Sequence, residues 1–146
     1  MHDEGIAEIG YVYTFIISSI LLTAFTMMST DMVNDSGRAS LRIMLSDVAE
    51  HVESEIGSVV TMAIRSPNST FQKIVKLQPL VFTFGYRINA TDHRLYVNAT
   101  YERIAIHRPI MNPTNIDITG GVSSSAEELI ITYQRIDGTP RITLGY

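Results

Sequence analysis

Four of the six asparagines head an N-x-S/T triplet without proline: Asn34-Asp35-Ser36, Asn68-Ser69-Thr70, Asn89-Ala90-Thr91 and Asn98-Ala99-Thr100. With 27 Ser and Thr in 146 residues, chance would give about one such triplet, so four is an excess. The chemistry this pattern offers is transfer of an oligosaccharide onto a side-chain amide, which takes place outside the cytoplasm. Asn68 follows a Ser-Pro break, Asn89 borders an expected turn, and Asn98 falls on the polar side of an expected strand. Each is a place where a sugar would leave a core undisturbed. The plainer alternative is that these asparagines only serve turns. Asn112-Pro113-Thr114 has the right ends, but its proline disqualifies it.

A second chemical feature is Glu8, the carboxylate at the border of 22 residues that carry no charge, Ile9 to Thr30. A carboxylate at the edge of a membrane segment is costly unless paired. An interfacial glutamate near a helix N-terminus, held by the helix dipole, is the alternative.

Other combinations offer less. The histidines His2, His51, His93 and His107 lie far apart in the sequence, without partners at metal-ligand spacing, and His51, Glu53 and Glu55 face different sides of a helix. Ser123, Ser124 and Ser125 lack the G-x-S-x-G setting of a nucleophile elbow. Glu127-Glu128 reads as a solvated strand entry rather than an acid/base pair. There is no glycine-rich phosphate loop and no cysteine, so disulfides and thiolate chemistry are excluded. No cofactor, metal or catalytic residue is expected. A net charge of −4 without a basic cluster argues against a nucleic-acid partner.

The elements that must position these residues begin with the uncharged stretch. Only 18% of the chain is charged, against roughly 25% in average soluble domains. As a helix, Ile9 to Thr30 would span roughly 33 Å, about the thickness of a bilayer's hydrocarbon. Its hydroxyls (Thr14, Ser18, Ser19, Thr23 and Thr26) can bond to the preceding turn, and Tyr11 and Tyr13 suit the interface. A buried core helix would need the rest of the chain wrapped around it. A cleaved signal peptide would need a positive start and a small-residue cleavage site. A retained membrane or filament-core helix is the expectation. Arg38 and Arg42 after the span would by themselves place the C-terminal part in the cytoplasm, and the four sequons outweigh them.

Helical pattern continues from Arg38 to Arg65, with Leu41, Leu45, Val48, Val52, Ile56, Val59 and Ala63 on one face. Ser66-Pro67 stops it. If continuous, residues 6 to 65 would form a helix of roughly 90 Å; Asn34-Asp35-Ser36-Gly37 is the place where it could kink or cap. Period-two alternation then takes over. Strands are expected around Phe82 to Ile88 and Leu95 to Tyr101, joined by a loop over residues 89 to 93. Leu129 to Ile136 and Arg141 to Leu144 are expected to form a hairpin on Asp137-Gly138. Ile74 to Leu77 and Ile104 to His107 are further strands, and Pro109 to Ser125 reads as an irregular loop. The expected fold is α+β: a long N-terminal hydrophobic helix followed by a C-terminal antiparallel β-sandwich-like domain. Its parts are a flank over 1–8, an apolar helix over 9–30, an amphipathic extension over 31–66 and an extracellular β-domain over 67–146.

Gly5-Ile6-Ala7-Glu8-Ile9-Gly10 running straight into an apolar helix, followed by this layout, resembles archaeal type IV pilin-like proteins, the group of adhesion pilins, archaellins and pseudopilins. The resemblance implies processing between the leader and the helix near Gly5 and Ile6, with the helix kept on the mature protein. It implies assembly through Glu8, Ile9, Gly10, Tyr11 and Phe15 with identical subunits in a helical filament, after a wait in the membrane. Glu8 would then pair with a neighbouring subunit's terminal amine. Asp3-Glu4 stand where such proteins carry Lys or Arg. An unprocessed member would be closer to a membrane-anchored archaellum stator or minor scaffold, its β-domain gripping a surface-layer protein or glycans. A membrane-tethered enzyme or solute binder is the third class.

Overall fold

The computed structural model of the chain describes residues 3–78, 85–91, 93–100 and 103–146, with residues 3–10 described in backbone only. The architecture is α+β. Helix α1 (Asp3–Arg65) is followed by strands β1 (Phe71–Lys76), β2 (Tyr86–Thr91), β3 (Arg94–Ala99), β4 (Ala105–Pro109), β5 (Asp117–Ser123), β6 (Glu128–Ile136) and β7 (Thr139–Gly145). Two compact units are present, residues up to Ser40 and Leu41–Tyr146. Helical residues 41–65 therefore belong to the unit that holds the sheet.

In the first unit α1 is helical throughout, including Asn34-Asp35-Ser36-Gly37, the expected weak point. Thr23, Thr26 and Thr30 donate their hydroxyls to the carbonyls of Ser19, Leu22 and Thr26 at 2.8, 2.8 and 2.9 Å. Four-residue back-bonding of this kind lets a polar side chain sit in an apolar helix without an orphaned donor.

In the second unit, among the described residues, seven strands form one sheet in the order β1-β6-β7-β5-β2-β3-β4. All neighbours are antiparallel except β5 and β7, which pair in parallel. The second layer over this sheet is the helix, in place of the second sheet of a sandwich. Of the predicted stripe, Leu45, Val48, Val52, Ile56, Val59 and Ala63 are buried together with alternate strand residues such as Ile88, Val97, Ile118, Ile131 and Ile142, and Leu41 packs half-buried against them. Burying the stripe against a sheet is what a 3.6-period pattern meeting a 2-period pattern requires. Charges fix the helix on both flanks. Lys73 of β1 pairs with Glu55 and reaches Ser58 Oγ at 3.1 Å. At the opposite sheet edge Arg108 of β4 reaches Ser46 and Glu50 at 3.3 Å and Glu53 at 3.6 Å.

Pro67 ends the helix, and the Tyr133 hydroxyl holds the turn that follows by donating to the Pro67 carbonyl at 3.0 Å. The β6–β7 hairpin turns on Asp137-Gly138, with φ of 51° and 82°, as a type I′ turn demands. Two details differ from the sequence reading. The expected loop over 89–93 is shorter, since β2 continues to Thr91, which pairs with Arg94. Alternation wins over the poor strand propensity of Asn89, because Ala90 goes into the core. Within the expected loop 109–125 lies β5, an interior strand. Its Gly120-Gly121 pair serves close backbone approach rather than a turn: a Cβ on Gly120, at φ +111°, would lie 2.2 Å from the Leu144 carbonyl oxygen. The strand expected from Phe82 and Phe84, and the end of the next at Tyr101, lie outside the described residues.

Candidate functional site

The feature that sets this chain apart from an ordinary domain is the first unit's surface. From Tyr11 to Ser40 every residue is exposed. Fourteen large apolar side chains between Tyr11 and Val33 are among them, so this is no scatter of single exposed side chains but a continuous sleeve. The most apolar 18-residue window of the helix has a mean hydropathy of 1.7 and is 0% buried. The helix is long and apolar enough to cross a membrane. The reading as a core helix wrapped by its own chain is therefore set aside.

Of the residues predicted for assembly, Tyr11 and Phe15 are 78% and 67% exposed and, four apart, share one side of the helix. Glu8, Ile9 and Gly10, with Gly5 and Ile6 of the expected processing site, lie in the backbone of α1, and their side chains are outside the described residues. Ser19, Ile20, Thr23, Ala24 and Met27 outline a shallow notch on the helix, made where short side chains follow one another at helical spacing. Such notches let two helix backbones approach closely in lipid.

The sequons separate into distinct settings. Asn34 is exposed on α1. Asn68 is exposed in the turn after the helix, where its Oδ1 accepts a hydrogen bond from Arg135 at 3.1 Å. Asn89 and Asn98 sit half-buried on β2 and β3, on the sheet face away from the helix. Asn112, the disqualified one, braces the loop ahead of β5. Its Nδ2 donates to the Ile116 carbonyl at 2.6 Å and its Oδ1 accepts from the Ile116 N–H at 3.0 Å.

The remaining chemical candidates are not brought together. His51, His93 and His107 are exposed at separate places, and among the described residues no group of three His, Asp or Glu could hold a metal ion. Ser124 is buried, and its Oγ accepts from the Tyr86 N–H at 3.1 Å. Tyr86 donates its hydroxyl to the Gln78 carbonyl at 3.0 Å, and burial pushes its phenol above the ordinary value of 10.0. An open, mostly apolar groove of about 750 Å³ runs between helix residues 57–64 and residues 109–113 at and beyond the end of β4, with His93 as its titratable lining group. Sequence reasoning missed the two charged flanks, Lys73 and Arg108, because partners 15 to 62 residues away leave no local signal.

No curated protein and no solved structure matches the chain. A family model described as a family of unknown function, DUF7266, matches residues 3–145. A helix bare from Tyr11 to Ser40, whose later residues Leu45 to Ala63 are buried in the core of the sheet's unit, thus characterises a chain that belongs to the DUF7266 family.

Proposed function

We propose that this chain is a structural subunit of an extracellular filament similar to archaeal type IV pili, and that it acts by assembly rather than catalysis. The observation that carries the reading is the bare apolar sleeve from Tyr11 to Val33 on a chain whose other unit is fully cored. Such a surface must be covered. Lipid covers it while the subunit waits in the membrane; identical helices cover it in the filament.

The two states are held by different forces. Leaving lipid for other helices brings no hydrophobic gain, so close contact at places such as the Ser19–Met27 notch must drive it. In an aqueous filament the same surface is held by burial, at roughly 25 cal/mol per Å² of apolar area. Glu8 sets the axial register by pairing with the terminal amine of a neighbour. The β-domain, with the three sequons at Asn68, Asn89 and Asn98, is exposed outside the cell. Purified surface filaments test the reading: this chain should dominate their mass, and Glu8→Gln should abolish the filaments while leaving membrane insertion intact. Normal filament yield from that variant would overturn the role of Glu8, and filaments free of this chain would overturn the whole.

A second reading has one observation in its favour, the acidic Asp3-Glu4 ahead of Gly5. An uncut chain would stay in the membrane as an archaellum stator or minor scaffold, its β-domain bound to a surface-layer protein. The chain would then remain with the membrane fraction at full mass when filaments are sheared off.

A further inference from the structure

The outer face of the sheet carries an arrangement that sequence order hides. Strand pairing puts Asn89 directly opposite Tyr96, about 5 Å away between Cβ atoms. Asn98 stands two residues further along the same strand as Tyr96, hence on the same face at about 7 Å. Two sequons from different hairpin arms therefore flank one aromatic ring. Across the sheet, the next neighbour of Asn89 is Gly121 and that of Asn98 is Ala105. Asn98 stands opposite Arg87, so each asparagine has a large side chain, Tyr96 or Arg87, on one side and only glycine or alanine on the other. The Asn89 amide lies over Gly121, where a Cβ would come within 2.3 Å of its Oδ1.

The residue choice is also telling in energetic terms. Asparagine is among the poorer strand formers, by up to about 1 kcal/mol, yet β2 and β3 each place one where threonine or arginine would serve a solvated face. Both triplets have alanine in the middle, and Ala90 and Ala99 point into the core at 2% and 9% exposure. Alternation therefore fixes both amides toward solvent whether a sugar is added before or after folding.

We infer that the solvent face of β2 and β3 is a paired N-glycosylation face, with sugars on Asn89 and Asn98 and the Tyr96 ring as the surface on which they rest. The inference builds on the outward placement proposed above. In the transfer step the Nδ2 of asparagine attacks the anomeric carbon of a lipid-phosphate-linked oligosaccharide presented by a membrane transferase. The new N–C1 bond forms as the C1–O bond to phosphate breaks; the lipid phosphate departs and one Nδ2 proton goes to solvent or base. No oxidant or reductant is involved. Two sugars stemming from points roughly 7–8 Å apart would cover this face and keep it out of subunit packing, leaving the apolar helix as the contact surface.

Site-resolved mass spectrometry of the chain isolated from its native cells, paired with external protease treatment of those cells, tests this. The expected result is sugar mass on both the Asn89 and the Asn98 peptides, with the domain open to the protease. Unmodified asparagine at either position in a protease-accessible domain overturns the paired face and leaves the outward placement standing. A protease-shielded domain overturns both. The role of Tyr96 is read separately. Tyr96→Ala should lower the melting temperature of the native protein by roughly 2–4 °C more than it lowers that of a Thr91→Ala/Thr100→Ala variant, which lacks both sequons. Equal shifts in the two backgrounds would remove Tyr96 from the account.

Discussion

Cutting the chain at two points separates the roles assigned to the two halves of α1. Removing residues 1–40 takes away the fourteen exposed apolar side chains and none of the buried core, whose first member is Leu45. At about 1.5–3 kcal/mol per fully transferred side chain, discounted for partial contact, the removed surface represents of the order of 20 kcal/mol of preference for an apolar environment. The fragment 41–146 should consequently be soluble without detergent, monomeric, and folded with the thermal midpoint of the full chain's domain. A cut at residue 66 is a different matter. It removes Leu45, Val48, Ala49, Val52, Ile56, Val59, Val60 and Ala63, all buried at 8% exposure or less. The six larger ones account for roughly 9–18 kcal/mol of burial, which exceeds or matches the whole stability of a typical domain, about 5–15 kcal/mol. Fragment 67–146 should therefore fail to fold. Circular dichroism melts and sedimentation of both fragments decide it. A cooperative melt from 67–146, or a 41–146 fragment that aggregates or needs detergent, would refute the division.

Other expectations concern single residues. Gly120→Ala should cost the domain at least about 2 kcal/mol in a denaturant titration, since φ is +111° and the added Cβ would meet the Leu144 carbonyl. Arg108→Ala loses its contacts with Ser46, Glu50 and Glu53; with the arginine partly exposed, the loss should be about 0.5–1 kcal/mol and should shrink at high salt. Burial raises the Tyr86 pKa above its ordinary value of 10.0, so the folded state holds that proton more tightly than the unfolded chain. Its contribution is complete below pH 10 and falls as pH rises from there through the folded value, visible as a steeper alkaline loss of stability that Tyr86→Phe should flatten.

Much of the fold is legible in the sequence because its signals are local. The apolar helix announces itself by 22 uncharged residues, and the stripe from Leu41 to Ala63 by its period. The last hairpin follows from Asp137-Gly138 between β-branched runs. What escapes depends on distant partners. β5 reads as a loop because a glycine pair usually marks a turn, although Ile116, Ile118 and Val122 alternate across it; the need for glycine lies in the backbones of β2 and β7 on either side. Alternating strands suggest sheet-on-sheet packing, whereas the amphipathic helix covers the single sheet, a choice that depends on the total area to be covered rather than on any one segment. For the functional surface, the apolar sleeve and the sequons are visible in the sequence. That Asn89 and Asn98 share a face around Tyr96 is not, because their neighbourhood is created by strand register.

The absence of cysteine makes a direct measurement of the central claim available. Single substitutions Leu21→Cys, on the bare sleeve, and Gln72→Cys, on the exposed side of β1, would each be the unique thiol of the chain. A membrane-impermeant maleimide applied to intact cells should label Gln72→Cys and leave Leu21→Cys untouched until detergent or denaturant is added. Ready labelling of Leu21→Cys in untreated cells would mean that nothing covers the apolar helix, and protection of Gln72→Cys would put the sheet on the wrong side of the membrane; either result contradicts the account.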